Sequence, residues 1–334
     1  MDASLNPGRL FGMMTAYQQT AALKAAIDVD LFTAIGEGVN TARALAARCN
    51  ASERGLRILA DYLTVQCLLA KQGDQYSLTA ESGAFLNRHS PAYVGAMSRF
   101  LAGPHVMAQF GTLTEAVRKG GVASDAQGAT ADQYGGWVDF AHAMEAMMGL
   151  AAMQVAGMVN GPEPGPLAVL DVAASHGLFG FQIAKQNPEA HITALDWPNV
   201  LEITEANAAR WGLTSRVSTI AGDAFQVDLG GPYDVILLTN LLHHFDFAAN
   251  VALLKRMKAA LKPGGRVFTL EFVPNEDRVS PPGSAVFPLV MLASTPAGDA
   301  YTFSELSSMF SEAGFATSEQ FPVIPTPETI IISQ

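Results

Sequence analysis

The stretch Leu170-Asp171-Val172-Ala173-Ala174-Ser175-His176-Gly177-Leu178-Phe179-Gly180 decides how the chain is read. An apolar run of strand length, Ala168 to Val172, meets small residues, a glycine and then an apolar run of helical character. That order marks a parallel strand turning into a crossover helix, where small residues let a ligand approach the backbone. At the end of the next predicted strand stands Asp196, in Ala194-Leu195-Asp196-Trp197-Pro198. A carboxylate there can accept from both hydroxyls of a ribose. Asp171, Ala173, Ser175, Gly177, Asp196 and Trp197 are therefore candidate nucleoside-binding residues. As ordinary structure, the two aspartates would be helix caps and Trp197 a core residue.

Outward from this turn, strand-length runs (His191 to Leu195, Val217 to Ile220, Val235 to Leu238, Val267 to Leu270) alternate with helical segments, the pattern of a βαβ series and an α/β sheet. Phe315 to Val323 and Thr329 to Ser333 predict an antiparallel edge hairpin. Dinucleotides and S-adenosylmethionine (SAM) both suit a turn and carboxylate of this kind. The third strand separates them. Its end, Gly222-Asp223-Ala224-Phe225, offers a carboxylate to an adenine amino group with an aromatic ring beside it, which favours SAM. As ordinary structure, Asp223 is a turn residue and Phe225 a packing residue.

Upstream, residues 15–35 place Leu23, Ala26, Ile27 and Leu31 at helical spacing, and Asn40 or Thr41 can cap a short helix, Ala42 to Arg48. Ser52 and Glu53 open another helix, and a ribbon turning at Gly73-Asp74 follows. Three helices and a small wing form a winged-helix pattern, usually a reader of DNA. The charges oppose that use: residues 1–104 carry nine Lys and Arg against eight Asp and Glu, and the whole chain has a formal charge of −11. Neither nucleic acid nor an anionic membrane surface is an expected partner.

The 334 residues suit two domains or one large α/β unit, and 49% hydrophobic with 15% charged residues excludes a disordered chain. No run of 18 apolar residues exists, since Phe140 to Val159 is interrupted by His142, Glu145 and Gln154. Met1 to Leu10 lacks the pattern of a secretory leader, so a cytoplasmic location is expected. Cys49 and Cys67 have no ligand-type spacing and are expected to be buried thiols. The stretch Gly120 to Gly136 reads as a flexible loop bordering a cleft.

With these stretches in place, the chain from about residue 15 onward resembles the SAM-dependent small-molecule O-methyltransferases, the family of plant phenylpropanoid and acetylserotonin enzymes and of bacterial relatives in antibiotic and pigment pathways. The matching stretches are LDWPNV (195–200), GDAF (222–225), LLHHF (241–245), LKPGGRVFTLE (261–271), and MLAS followed by TPAGDAYTFSEL (291–306). Family members carry glycines where this chain has Ala173 and Ser175. Small residues still permit close approach, although a positive φ suits them less than glycine.

The resemblance implies a Rossmann-like class I methyltransferase sheet over residues 105–334 and a winged-helix-like dimerisation domain over residues 1–104, hence a homodimer acting on a small acceptor. It places Gly222, Asp223, Ala224, Phe225 and Phe245 around the adenine, and His243 as general base, a task imidazole suits because its pKa lies near neutrality. Glu271 matches the glutamate that orients this histidine. The second supporting glutamate is absent: Ala300 stands there, with Asp299 one position off, so orientation of the base falls to Glu271 or Tyr301. His243 and His244, as neighbours at a strand end, are expected to point apart, and no metal is expected. Phe140, Met144, Met148, Met291 and Thr295 are the substrate-facing candidates, with Trp137, Met147 and Phe287 nearby in sequence. Rival readings are transfer to sulfur, nitrogen or carbon, a SAM-binding relative that no longer methylates, and a winged-helix regulator that responds to a ligand.

Overall fold

The structure is a computed structural model, and it describes residues 6–124, 127–132 and 134–334. The first five residues, part of the leader reading, and Asp125, Ala126 and Gln133 of the Gly120 to Gly136 stretch lie outside the described residues. The chain divides into two compact units, one ending at Pro104 and one running from His105 to Gln334.

In the first unit, helices Gly8–Asp28, Leu31–Gly36, Ala42–Arg48 and Glu53–Val65 precede two short strands, β1 (Leu69–Gln72) and β2 (Gln75–Leu78), paired antiparallel. Thr41, not Asn40, caps the third helix by accepting from the Ala44 N–H at 3.3 Å, and Ser52 caps the fourth by accepting from the Gly55 N–H at 2.9 Å. The single helix read over residues 15–35 is broken at Asp30, whose φ is 61°, so Leu31 belongs to the next helix. Leu31, Phe32, Leu45, Leu56, Leu63, Leu69 and Tyr76 form the core of this unit. Helix Gly8–Asp28 buries only Ala26 and Ile27, while Leu10, Phe11, Met13, Met14 and Tyr17 are exposed. The cysteines depart from expectation: Cys49 is half-buried and Cys67 exposed, because Cys67 sits in the turn after the fourth helix with φ 60°.

The second unit is built on a seven-stranded sheet. Strands β3 (Leu167–Val172), β4 (Ala190–Asp196), β5 (Val217–Ala221), β6 (Tyr233–Thr239) and β7 (Leu261–Glu271) run parallel in the order β5-β4-β3-β6-β7. The edge is completed by β9 (Thr329–Ser333), antiparallel to β7, and β8 (Ser318–Pro322), antiparallel to β9. Strands β3 and β6 are covered on both faces, which is why they read as continuous apolar runs. The strand order reverses between β3 and β6, and that switch point is where open α/β sheets bind ligands. No helix among the described residues is long and apolar enough to cross a membrane.

The described part of the Gly120 to Gly136 stretch is pinned rather than loose. The Val122 N–H donates to the Thr295 carbonyl at 2.8 Å, and the Trp137 Nε1–H donates to the Ala129 carbonyl at 3.0 Å. A Cβ on Gly128 would lie 2.1 Å from the Ser294 carbonyl oxygen, so glycine lets the segment close onto its neighbour.

Candidate active site

After β3 the backbone makes a tight turn in which Ala173, Ser175 and Gly177 adopt φ of 54°, 53° and 79°. The left-handed region is thus retained at the two positions without glycine, at about 1–2 kcal/mol each for an L-residue. Neighbours hold Ser175 there. Asp196 Oδ2 accepts from the Ser175 N–H at 2.8 Å, and Thr204 Oγ1 donates to the Ser175 carbonyl at 2.6 Å. Gly180, three residues on, allows the following helix to dock: a Cβ there would lie 2.6 Å from Ile192 Cγ2 and 3.0 Å from Asp171 Oδ2.

Asp171 accepts from the Gly180 N–H at 3.0 Å through Oδ2, while its buried Oδ1 has no partner. Burial pushes its carboxyl up to about 7, and the charge of Asp196 adds to the rise. Asp196 is pushed up to about 6, again by burial, against the lowering effect of the Ser175 and Trp197 N–H groups. His176 accepts from the Leu178 N–H at 3.2 Å through Nδ1, so the neutral ring carries its proton on Nε2, which is buried without a partner. Burial holds this imidazole down to about 4. With Ser175 Oγ, also unpartnered, these atoms gather unmet polar capacity at one turn. That is the surface a polar nucleoside and amino-acid moiety requires, so the residues present fit SAM.

At the end of β5, the Gly222 N–H donates to the Asp196 carbonyl at 3.0 Å, tying this turn to the preceding strand end. Gly222 has φ 136°, and a Cβ there would lie 2.6 Å from Val227 Cγ1. Asp223 accepts from the Phe225 N–H at 2.9 Å and from Gln226 Nε2 at 2.7 Å, closing its own turn while each oxygen keeps a lone pair. The Ala224 carbonyl accepts from Arg256 Nε at 3.1 Å. Phe225 meets Phe245 edge to face at 4.9 Å between ring centroids, which brings the aromatic residues of two strand ends together.

Beyond β6, Asn240 takes φ 54° and the chain enters a 3₁₀ turn, Leu242–His244. His243 Nδ1 lies 2.5 Å from Glu271 Oε2, both residues being buried. The other oxygen of Glu271 accepts from the Leu241 N–H at 3.1 Å and the Leu242 N–H at 2.8 Å. One carboxylate therefore fixes both the imidazole and the backbone that carries it. Gly298 packs against this turn, where a Cβ would lie 2.3 Å from the His243 carbonyl oxygen.

Two expectations change here. The His243 and His244 rings do not diverge but lie 4.3 Å apart, because the 3₁₀ turn abolishes the alternation of a strand. Burial, and then the neighbouring His243, hold His244 well below the usual histidine range, and its Nδ1 faces the Leu241 carbonyl at 3.2 Å. Tyr301 does not reach the base: its hydroxyl donates to the Phe245 carbonyl at 2.5 Å. Asp299 turns to Arg278 at 3.4 Å, and Ala300 is fully buried. No group of three or more metal-ligating side chains is assembled among the described residues.

The substrate-facing candidates surround this turn unevenly. Phe287 meets His243 edge to face at 4.8 Å and stacks on Phe272 at 4.0 Å. Trp137 packs on His244 at 5.2 Å and on Phe140 at 5.7 Å, and Phe140 stacks on His176 at 6.4 Å. Met144, Met148 and Met291 are buried, whereas Met147 is exposed. The Thr295 hydroxyl donates to the Met291 carbonyl and accepts from the Gly298 N–H, both at 2.8 Å, and so holds its own loop. Residues that sequence reasoning did not single out are Phe272, His176, Asn240 and Glu328. Asn240 Nδ2 donates to Glu328 Oε1 at 3.1 Å.

Known proteins resemble this chain over nearly its whole length. The O-methyltransferase dimerisation domain matches residues 11–88. The tetracenomycin polyketide 8-O-methyltransferase of Streptomyces glaucescens is 28% identical over 98% of this chain and 96% of its own length. A crystal structure from Nostoc punctiforme, described as a candidate O-methyltransferase, superposes with a TM-score of 0.95 at 46% identity over 99% of each chain. The structure of the methyltransferase PigF with SAH (S-adenosylhomocysteine) has a TM-score of 0.85 at 25% identity, covering 99% of this chain and 100% of that one. The O-methyltransferase domain itself matches residues 111–316, more than half of the sequence. The chain belongs to the O-methyltransferase family, a family of SAM-dependent enzymes.

Proposed function

We propose that this protein methylates a hydroxyl of a small, largely apolar aromatic metabolite, with His243 removing the hydroxyl proton and Glu271 holding the imidazole. The observation that carries this reading is the buried contact of 2.5 Å between His243 Nδ1 and Glu271 Oε2. Accepting from Nδ1–H, the carboxylate selects the tautomer whose Nε2 lone pair is free to take a proton. SAM supplies a methyl group on a positively charged sulfur, an electrophile that needs no further activation. Asp196 presents its remaining lone pairs to the ribose, Asp223, Phe225 and Phe245 flank the adenine, and the turn from Ala173 to Gly177 receives the amino-acid end. What remains for the chain is alignment and proton removal. Phe287, Phe272, Trp137 and Met148 offer flat, polarisable surface to an aromatic acceptor. A second relative, the 3-hydroxy-5-methyl-1-naphthoate 3-O-methyltransferase of Streptomyces sahachiroi, 28% identical over 92% of this chain, supports the same class.

The test is a panel of phenols and naphthols incubated with SAM, with products read by mass spectrometry. We expect SAH and acceptors heavier by one methyl group on oxygen. Methylation of thiol or amine analogues alone would overturn the reading.

The working unit of this proposal is a cytoplasmic homodimer built through residues 1–104, with neither nucleic acid nor membrane as a partner. The match to the dimerisation domain supports it, as do Leu10, Phe11, Met13, Met14 and Tyr17, which together expose apolar surface on one helix. Light scattering is expected to give twice the 35.3 kDa chain mass. A monodisperse species at 35.3 kDa would contradict it.

A further inference from the structure

Glu328 is 5% exposed and Asn240 is its hydrogen-bond partner at 3.1 Å. Neither was asked for by the chemistry above, and both stand beside it. Asn240 precedes the turn that carries His243, and its Nδ2 also lies 3.7 Å from Met148 Sδ. Glu328 adjoins Thr329, the residue paired with Glu271 across β7 and β9, so it lies at the same end of the sheet as the carboxylate that holds the base. The local turn pins it: its N–H donates to Thr326 Oγ1 at 3.4 Å, and its carbonyl accepts from the Val323 N–H at 3.0 Å.

One feature of this pair is costly unless something meets it. Asn240 Oδ1 is buried and has no partner, and among the described residues no cation pairs with Glu328. Hydrogen bonds from the Asn240 amide and the Thr326 hydroxyl both act on the Glu328 carboxyl, whereas a buried amide oxygen with no donor at all is incompletely satisfied. Burial pushes the Glu328 carboxyl upward, and the charge of Glu271 adds to the rise. Met148, whose Sδ lies 3.7 Å from Asn240 Nδ2, has no proton to donate to the amide oxygen, and a hydroxyl brought by a ligand can meet it.

We propose that Asn240 and Glu328 form a polar subsite in the acceptor site and select acceptors that carry a second hydroxyl besides the one methylated. That hydroxyl donates to Asn240 Oδ1, an amide that Glu328 orients by accepting from its Nδ2, and so satisfies an atom that an acceptor with one hydroxyl leaves unmet. Sites built to hydrogen-bond a substrate hydroxyl discriminate strongly against the analogue that lacks it. This inference rests on the reading of the protein as a methyltransferase for aromatic hydroxyls, and its test is kept separate from turnover.

The experiment measures binding of 1-naphthol and of the dihydroxynaphthalene isomers to the SAH-loaded protein by calorimetry. At least one dihydroxy isomer is expected to bind about tenfold to a hundredfold more tightly than 1-naphthol, the range of hydrogen bonds to a charged or buried polar group. In Glu328→Gln this preference should shrink, and in Asn240→Leu combined with Glu328→Met it should vanish. SAH affinity, measured alongside, reports that each variant is folded. If no isomer is preferred, or if the preference persists unchanged in Glu328→Gln, the subsite does not exist. A protein that shows the preference but transfers methyl groups to no hydroxyl would fail the proposed function while keeping the subsite.

Discussion

His243→Ala is expected to lower turnover by about 10²-fold to 10⁴-fold while leaving SAM affinity in place, because the imidazole acts on the acceptor proton and not on the nucleoside. Steady-state kinetics with SAH calorimetry on the same preparation measure both quantities. Glu271→Gln should produce a loss of comparable direction for a different reason. An amide can still accept from the Leu241 and Leu242 N–H groups, but its NH₂ then faces His243 Nδ1 and donates to it. The proton moves to Nε2, and the base is switched off with its position kept. His244→Ala is not a silent control, since its ring packs against both His243 and Trp137; a reduced rate is expected there through misalignment. A loss below about tenfold in His243→Ala would mean that alignment suffices. The acceptor would then be a group already ionised at neutral pH, such as a thiol or an acidic phenol.

The second large effect concerns Asp196. Asp196→Ala should weaken SAH binding by about 1.5–3 kcal/mol, the scale of hydrogen bonds to a charged group, and unchanged affinity would remove Asp196 from the ribose site. The protein should also show a pH dependence that the variant lacks. Burial raises Asp196 to about 6, and ribose hydroxyls that donate to it favour the ionised form. Affinity for SAH is therefore full above pH 6 or so and falls as pH drops through that value, with a proton released on binding. Stability of the free protein runs the other way. Asp171 and Asp196 rise from 3.8 to about 7 and about 6, so between about pH 4 and pH 7 the folded state holds more protons than the unfolded state. These two groups make stability fall as pH rises through that window.

The strand, turn and helix around Asp171 were legible because their signals are local: the length of an apolar run, the residue that ends it and the spacing to the next. The same holds for the wing at Gly73 and the edge hairpin. Backbone sign at Ala173 and Ser175 was not, since alanine and serine permit a left-handed φ without asking for it; at Ser175 the hold comes from Asp196 and Thr204, distant in sequence. The His243–His244 contact was misread because adjacent residues alternate only in a strand, and the strand ends at Thr239. The resemblance points to Tyr301 as a support for the base because Ala300 stands where the family has its second glutamate, and the Tyr301 hydroxyl instead fixes the Phe245 carbonyl. Asn240 and Glu328 were invisible for the plainest reason, since 88 residues separate them and only the pairing of β9 with β7 brings them together.

The double duty of Glu271 has a consequence for how such a protein can diverge. Its two oxygens serve three partners, the imidazole and two backbone N–H groups, so a substitution there disturbs reactivity and local architecture in one step. Shortening it to aspartate removes the reach needed to serve all three. Met148 and Glu328 have no such dual obligation and come from separate segments of the chain. Descendants can therefore retune which molecule is accepted by drifting at those positions while the proton-transfer apparatus stays frozen. A lineage built this way explores new acceptors without first having to lose its chemistry.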